Sequence, residues 1–118
     1  MTIPRPGRSV RGSTSGRPIM AILDLLGRRW TLRILWELRH GDAMSFRDLQ
    51  TICGDISPTS LNKRLQELKE AFIVQLTDGG YQLTQTGIDL LATLQPLQRW
   101  AEKWASLYEL AGDNDAAG

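Results

Sequence analysis

The chain has 118 residues, 42% of them hydrophobic and 23% charged, which is the composition of an ordinary one-domain globular protein. Its single cysteine excludes an intrachain disulfide, and no apolar run approaches the roughly 20 residues that a membrane-spanning helix needs. The apolar stretch after Pro18 contains Asp24 and makes a poor signal peptide, so we expect a cytoplasmic protein that does not bind a membrane.

The net charge of +1 is distributed unevenly along the chain. Residues 1–17 contain four arginines and no acid, whereas residues 70–118 contain seven acidic and two basic groups. The cationic groups therefore lie in the N-terminal part, a distribution that favours contact with nucleic acid there. Residues 1–17 are also rich in Gly, Ser and Pro without apolar periodicity, which predicts a mobile basic arm.

Two helices are predicted next. Pro18 begins the first, whose apolar residues recur at helical spacing: Ile19, Ile22, Leu23 and Leu26. Gly27 interrupts that pattern, and a second helix is predicted over residues 29–40, ended by Gly41 at the usual C-terminal glycine position. Its apolar residues are Trp30, Ile34, Leu35 and Leu38.

Residues 46–70 have the pattern of two helices joined by a turn. A short amphipathic helix is predicted over residues 46–52, and Ser57 and Pro58 supply the N-cap and the first-turn proline of the second helix. That second helix has a predicted buried stripe, Leu61, Leu65, Leu68 and Phe72. Its other face is polar: Thr59, Lys63, Gln66 and Glu70, flanked by Ser60 and Asn62. The pattern predicts a recognition helix for a DNA major groove over residues 57–70; an ordinary solvated face is the alternative.

A β-hairpin and a long helix are predicted after Phe72. Residues 73–77 and 81–83 alternate around the turn Asp78-Gly79-Gly80, and Met44-Ser45 is long enough for a stub of strand pairing with this hairpin. Thr84 then caps the C-terminal helix. The predicted fold is mainly α (α+β): a winged helix-turn-helix domain over residues 18–111 with a short two-stranded wing, followed by a disordered tail at residues 112–118.

The C-terminal helix contains more apolar surface than one small core needs. A heptad seam is formed by Leu90, Leu94, Leu97, Ala101, Trp104 and Tyr108, and it is widened by Trp100 and Leu107. Pro96 removes one backbone donor and predicts a kink near Ala92. Self-association through this helix explains the seam, and packing back onto its own domain is the alternative.

In their order and spacing, several segments resemble the HxlR-type branch of the MarR-like bacterial transcription regulators, over Pro18 to about Trp104. They are LLGRRWTLRIL at residues 25–35, FRDL at 46–49, ISP at 56–58, LNKRL at 61–65, Leu68 and LTQTG at 83–87. The resemblance implies a homodimer built by the first and last helices. We therefore expect these dimerisation residues: Ile19, Leu23, Leu90, Leu94, Leu97, Trp100, Trp104 and Tyr108.

The chain also departs from this family. The wing is short, has an acidic tip, and no Lys or Arg occurs between Glu70 and Gln98. Basic residues of the arm, Arg5, Arg8 and Arg11, are an alternative minor-groove element, unless the arm is simply a solvated end. Several family members sense oxidants through a cysteine ahead of the first helix. This chain has Arg17-Pro18 there, and Cys53 is interpreted as a buried, inert thiol.

No enzyme, metal site or cofactor is predicted. The chain has one histidine, His40, and no glycine-rich phosphate loop, so neither a catalytic triad nor a zinc cluster can be assembled. The features nearest to an effector site are the kink at Pro96 and four aromatic residues, although aromatics at helical spacing equally suit a core: Trp30, Trp100, Trp104 and Tyr108. The identity of a small-molecule effector is therefore left open.

The leading hypothesis is a sequence-specific regulator, with repression as the expected sign, that binds a palindromic operator in double-stranded DNA as a homodimer. Each subunit would place the DNA-binding segment from Ser57 to Arg64 in one major groove, where Thr59, Ser60 and Asn62 would contact base edges. Phosphates would be contacted by Arg47, Lys63, Arg64, Arg28 and Arg29. The alternative is a winged-helix module whose partner is another protein.

Overall fold

A computed structural model describes residues 3–112 of the chain. The elements in order are α1 (Pro18–Leu26), α2 (Thr31–Glu37), α3 (Phe46–Cys53), α4 (Pro58–Glu70), β1 (Val74–Thr77), β2 (Gly80–Leu83) and α5 (Gln85–Leu110). Helices α3 and α4, the β1–β2 wing and a long C-terminal helix form the winged helix-turn-helix fold that the sequence predicts. Apart from Gly112, the predicted C-terminal tail lies outside the described residues.

The core lies where α2, α3 and α4 meet the wing. Each helix contributes its apolar face, and the largest aliphatic side chains there are at most 1% exposed: Ile34, Leu35, Leu38, Leu49, Leu61, Leu65 and Leu68. Burial of such a side chain contributes about 1.5–3 kcal/mol relative to leaving it in water. These contacts fix the orientation of α4, and with it the direction of its polar face.

Helix α4 has well-defined ends. Ser57 is its N-cap, and Pro58 occupies the first helical position, where an amide N–H has no intrahelical partner. At the other end Phe72 adopts a left-handed conformation with φ 65°. Its amide N–H donates to the Lys69 carbonyl at 3.0 Å, and that of Ile73 donates to the Leu68 carbonyl at 3.0 Å. These two bonds form a Schellman motif.

Phe72 is a correction to the predicted buried stripe. Its side chain is 76% exposed, whereas Leu61, Leu65 and Leu68 are fully buried as predicted. The helical spacing stops applying at Glu70, and the left-handed residue after the cap turns its side chain away from the core.

Helix α2 is shorter than predicted. It covers Thr31–Glu37 instead of residues 29–40, because Trp30 has φ 77° and separates it from α1. After Glu37 the chain closes with i to i+3 hydrogen bonds, from the Arg39 amide to the Trp36 carbonyl and from the Gly41 amide to the Leu38 carbonyl. The predicted last turn of the helix is therefore a tighter turn.

The wing is the predicted two-stranded hairpin. Its antiparallel register runs from Val74 opposite Leu83 to Thr77 opposite Gly80. The predicted stub before α3 is confirmed as an isolated bridge, in which the backbones of Met44 and Tyr81 exchange hydrogen bonds of 2.7 and 2.8 Å. Gly80 is required at this point, because a Cβ on it would lie 2.3 Å from the Met44 carbonyl oxygen.

Helix α5 begins in contact with the wing, and most of its remaining length is exposed to solvent. Thr84 is its N-cap and accepts a hydrogen bond of 3.0 Å from the Gly87 amide. A Cβ on Gly87 would lie 2.3 Å from the Ile73 carbonyl oxygen, so glycine permits this close approach. The helix continues through Pro96 to Leu110, and Gly87 is its only buried residue.

The N-terminal arm is packed on the domain, which differs from the mobile segment that its composition predicts. Ile3 is 4% exposed, Val10 and Ser13 form a bridge, and Arg5 makes an ion pair of 3.0 Å with Glu70. Composition does not distinguish Ile3, one isoleucine among prolines, from its exposed neighbours, but this residue covers an apolar cavity beside α1. Met1 and Thr2 lie outside the described residues.

Candidate nucleic-acid interface

The N-terminal half of α4 presents an exposed polar face. Thr59, Asn62 and Lys63 are exposed, and Ser60 is half-buried. Within residues 3–112, Lys63 makes no ion pair. Small hydrogen-bonding side chains next to an unpaired cation can approach base edges and phosphates in a major groove.

The hydroxyls at the start of α4 are already ordered by the helix itself. The Ser60 amide donates to Ser57 Oγ at 3.1 Å, which satisfies one of the free amides of the helix end. The Ser57 hydroxyl also donates to Ser60 Oγ at 3.0 Å, with the direction following from the cap. Ser57 therefore acts as a cap, while the Ser60 hydroxyl keeps its proton for an external acceptor.

Glu67 organises the other side of α4. Its side chain is 1% exposed, and both of its oxygens accept from arginines. Arg64 donates to one oxygen at 2.5 Å, and Arg28, from the segment between α1 and α2, donates to the other. The cluster ties α4 to the segment between α1 and α2.

This cluster changes the assignment of two predicted phosphate contacts. The side chains of Arg28 and Arg64 are only 27% and 17% exposed, because Glu67 holds their guanidinium groups. The apolar periodicity of this helix does not indicate that Glu67 is buried. One signal was available, since Arg64 and Glu67 are three residues apart and such pairs are neighbours on a helix.

The remaining predicted phosphate contacts are exposed. Arg47 lies on the surface of α3, and Arg29 lies outside the Glu67 cluster with its guanidinium 5.5 Å from the centre of the Trp30 ring. A further arginine has a structural role that the sequence did not reveal. Arg33 bonds to Glu37 at 2.7 Å and to the Ile52 carbonyl at 2.8 Å, which ties α2 to the end of α3.

The wing contains no Lys or Arg, and two of the four arginines of the arm make ion pairs. Asp78 at the wing tip is exposed, and no Lys or Arg occurs in residues 71–97. In the arm, Arg5 is paired with Glu70, and Arg11 lies 3.9 Å from an Asp24 oxygen. The N-terminal half of α4 differs from both in combining exposed hydroxyl, amide and ammonium groups.

The predicted dimerisation residues are largely exposed in the single chain. Exposed fractions are 60% for Ile19, 52% for Leu23, 57% for Leu97 and 58% for Trp100, while Leu90 and Leu94 are half-buried. The aromatic residues of α5 contact one another: Trp100 and Trp104 are stacked with ring centres 6.0 Å apart, and Trp104 and Tyr108 meet edge to face with ring centres 5.4 Å apart. Trp30 packs on the core instead, which separates it in role from this aromatic row.

Cys53 is 4% exposed at the end of α3. Burial raises the pKa of its thiol, an effect opposed by nearby Arg33 and supported by Glu37. A buried thiol with a raised pKa stays protonated at neutral pH and reacts slowly, which agrees with the interpretation from the sequence. Within residues 3–112 no helix is long and apolar enough to cross a membrane, and no three His, Cys, Asp or Glu side chains are grouped to bind a metal.

Comparison with known proteins identifies the family. Residues 25–109 match the HxlR-like helix-turn-helix family. An uncharacterized HTH-type transcriptional regulator of Methanocaldococcus jannaschii is 30% identical over 90 residues, covering 72% of this chain and 83% of the relative. The HTH-type transcriptional regulator YodB of Bacillus subtilis is 31% identical over 100 residues, covering 79% and 88%. The crystal structure of quinone-bound YodB superposes with a TM-score of 0.68 at 32% identity, over 73% of this chain and 97% of that one. The chain belongs to the HxlR-like helix-turn-helix family of DNA-binding transcriptional regulators.

Proposed function

We propose that the protein is a homodimeric transcriptional repressor that binds a palindromic operator through α4. The observation that carries the proposal is the asymmetry of α4: its leucines are fully buried, Glu67 is held by two arginines, and the polar N-terminal half is exposed. A polar face that is positioned by a buried face on the same helix suits sequence reading.

The contacts divide into base and phosphate contacts. Thr59, Ser60 and Asn62 lie on the exposed half of α4 and would approach base edges. Lys63 reaches either a phosphate or a guanine. Phosphate contacts also come from Arg47 and Arg29. Arg28 and Arg64 are not assigned to phosphates, because Glu67 already binds their guanidinium groups.

The homodimer rests on the exposed apolar residues of two helices. Ile19 and Leu23 on α1, with the aromatic row on α5, leave a large apolar surface that a monomer would expose to water. A second copy burying the same residues gives a two-fold axis, and half-sites would then lie about 34–36 Å apart along the DNA. The protein would act in the cytoplasm, where the DNA of a prokaryotic cell is found.

Selection from a random pool of duplex DNA tests the proposal. The purified full chain should enrich a palindromic sequence, and its affinity should fall steeply with salt concentration because phosphate contacts release counterions. The competing hypothesis of a protein-binding module predicts no retained duplex even at low salt. Enrichment of a site without two-fold symmetry would retain the DNA-binding part and reject the symmetric dimer on the operator.

A further inference from the structure

An apolar cavity lies between the N-terminal arm, α1 and the C-terminal end of α4. Its volume is about 810 Å³, which is within the range of about 300–1,000 Å³ common for small-molecule sites. Ala21, Ile22 and Leu25 of α1 form one wall, and Ile73 lines the cavity where the chain leaves α4. The residues proposed to read DNA do not line it.

The arm closes one side of this cavity. Ile3 lines it and is 4% exposed, and the Arg5 guanidinium is held by the Glu70 carboxylate at 3.0 Å. The arm thus crosses from the cavity to the last residue of the recognition helix. A ligand in the cavity would contact the arm and α4 together.

Lys69 provides a positively charged group in the lining of the cavity. It lines the cavity, is half-buried, and makes no ion pair within residues 3–112. The neighbouring carboxylate of Glu70 is already paired with Arg5. A position in the last turn of a helix suits a lysine through the helix dipole. A half-buried ammonium beside apolar walls is in addition complementary to an anion with an apolar body.

Phe72 lies at the edge of the same cavity in a conformation that favours glycine. Its φ is 65° and its side chain is 76% exposed, so burial in the core does not account for the aromatic residue. Strained residues of this kind cluster at ligand sites. The ring offers a flat apolar face beside Lys69.

We propose that this cavity binds an organic anion with one or two aromatic rings, the anionic group paired with Lys69 and the rings between α1 and Phe72. Its effect on transcription rests on the proposed function of α4: occupancy at the end of the recognition helix would change operator affinity. Binding itself does not depend on that function and is tested separately.

Titration of the isotope-labelled full chain with 2-naphthoate, followed by amide NMR shifts, tests the binding. Saturable shifts are expected at Ala21–Leu25 and Lys69–Ile73. The uncharged analogue 2-naphthalenemethanol should bind roughly tenfold more weakly, the factor for losing one charge-assisted hydrogen bond. Absence of saturable shifts at millimolar naphthoate, or shifts confined to the aromatic row of α5, would overturn the proposal.

Two matched variants test the role of the lysine. Lys69→Met keeps the length of the side chain and should weaken naphthoate binding roughly tenfold, the value of one charged hydrogen bond. Lys103→Met makes the same change on α5 and should bind like the wild type. Equal affinity of all three proteins, each with a wild-type amide spectrum, would reject the anion site.

Operator binding provides the last comparison. Naphthoate should change the operator affinity of the wild type and of Lys103→Met, and have a much smaller effect on Lys69→Met. If the protein binds no DNA either with or without naphthoate, the proposed function fails, yet the measurement of naphthoate binding stands. Intermolecular NOEs that place a second copy inside the cavity would overturn the ligand site and leave the proposed function intact.

Discussion

Helices α4 and α5 have similar leucine-rich patterns in the sequence but different surroundings in the structure. Of the 13 residues of α4, Leu61, Leu65, Glu67 and Leu68 are buried, and this face is completed by its own chain. Of the 26 residues of α5, only Gly87 is buried. Periodicity therefore shows that a helix has an apolar face, whereas burial shows whether the same chain covers it.

This difference divides the molecule into a part with a closed core and a part whose apolar side chains are exposed. Helices α2, α3 and α4 with the wing form a closed core. In the single chain, α5 and the outer face of α1 expose large apolar side chains to water, such as Trp100, Leu107 and Ile19. Substitutions on the two helices test whether α4 is held in place by contacts within its own chain and whether α5 packs against a second chain.

The largest effect is expected for Glu67→Ala. The change leaves Arg28 and Arg64 without their shared partner, and breaking such a buried pair costs roughly 3–5 kcal/mol. The partial exposure of both arginines places the expected loss near the lower end, about 3 kcal/mol of unfolding free energy in a urea titration.

Glu70→Ala is the matched control, since it removes the same group three residues later from an ion pair whose partners are 47% and 35% exposed. Such a surface pair contributes about 0–1 kcal/mol. Equal stability of the two variants would show that the Glu67 cluster does not hold α4 in place.

The second effect concerns α5. Trp104→Ala should weaken the proposed dimer by about 2 kcal/mol or more, because aromatic residues at an interface centre contribute most of its binding energy. Sedimentation over a concentration series should show the wild type at twice the 13.2 kDa chain mass and the variant shifting toward the monomer.

Trp36→Ala is the control for this measurement, because Trp36 is 43% exposed on α2 and stacks with Arg39, 4.0 Å from its ring centre. The control should sediment like the wild type. A wild-type protein that remains monomeric at micromolar concentration would contradict the interpretation of α5.

The sequence was sufficient for features that depend on local chemistry. The start of α4 followed from Ser57 and Pro58, and the hairpin followed from Gly79-Gly80, because caps and turns need only neighbouring residues. Sequence spacing indicates the Arg64–Glu67 pair but not the burial of Glu67, since its second partner Arg28 is 39 residues away and only the tertiary fold brings them together. The packed arm was missed for the same reason, as Ile3 has no periodic neighbour that would mark it as apolar core.

A third, intermediate effect tests the exposed face of α4. Lys63→Ala should weaken operator binding by about 1–3 kcal/mol, with a lower salt dependence if Lys63 contacts phosphate and a relaxed base preference if it contacts guanine. Lys103→Ala, the same change on α5, should bind the operator normally. Wild-type affinity for Lys63→Ala, Ser60→Ala and Asn62→Ala together would show that this face is only solvated.

The smallest effect is expected where α4 ends. Phe72 occupies the left-handed position of the Schellman motif, which glycine adopts without steric cost. Phe72→Gly should relieve the strain of the left-handed backbone, but glycine also raises the chain entropy of the unfolded state, which opposes folding. The net result should be a domain that is more stable by about 0.5–1 kcal/mol. Phe72→Ala removes the same ring but keeps the strained backbone, so its unfolding free energy should stay close to that of the wild type. A loss of stability in both variants would mean that the ring is packed in solution, against a second chain or a ligand. The C-terminal end of α4 would then resemble α5 in depending on a partner.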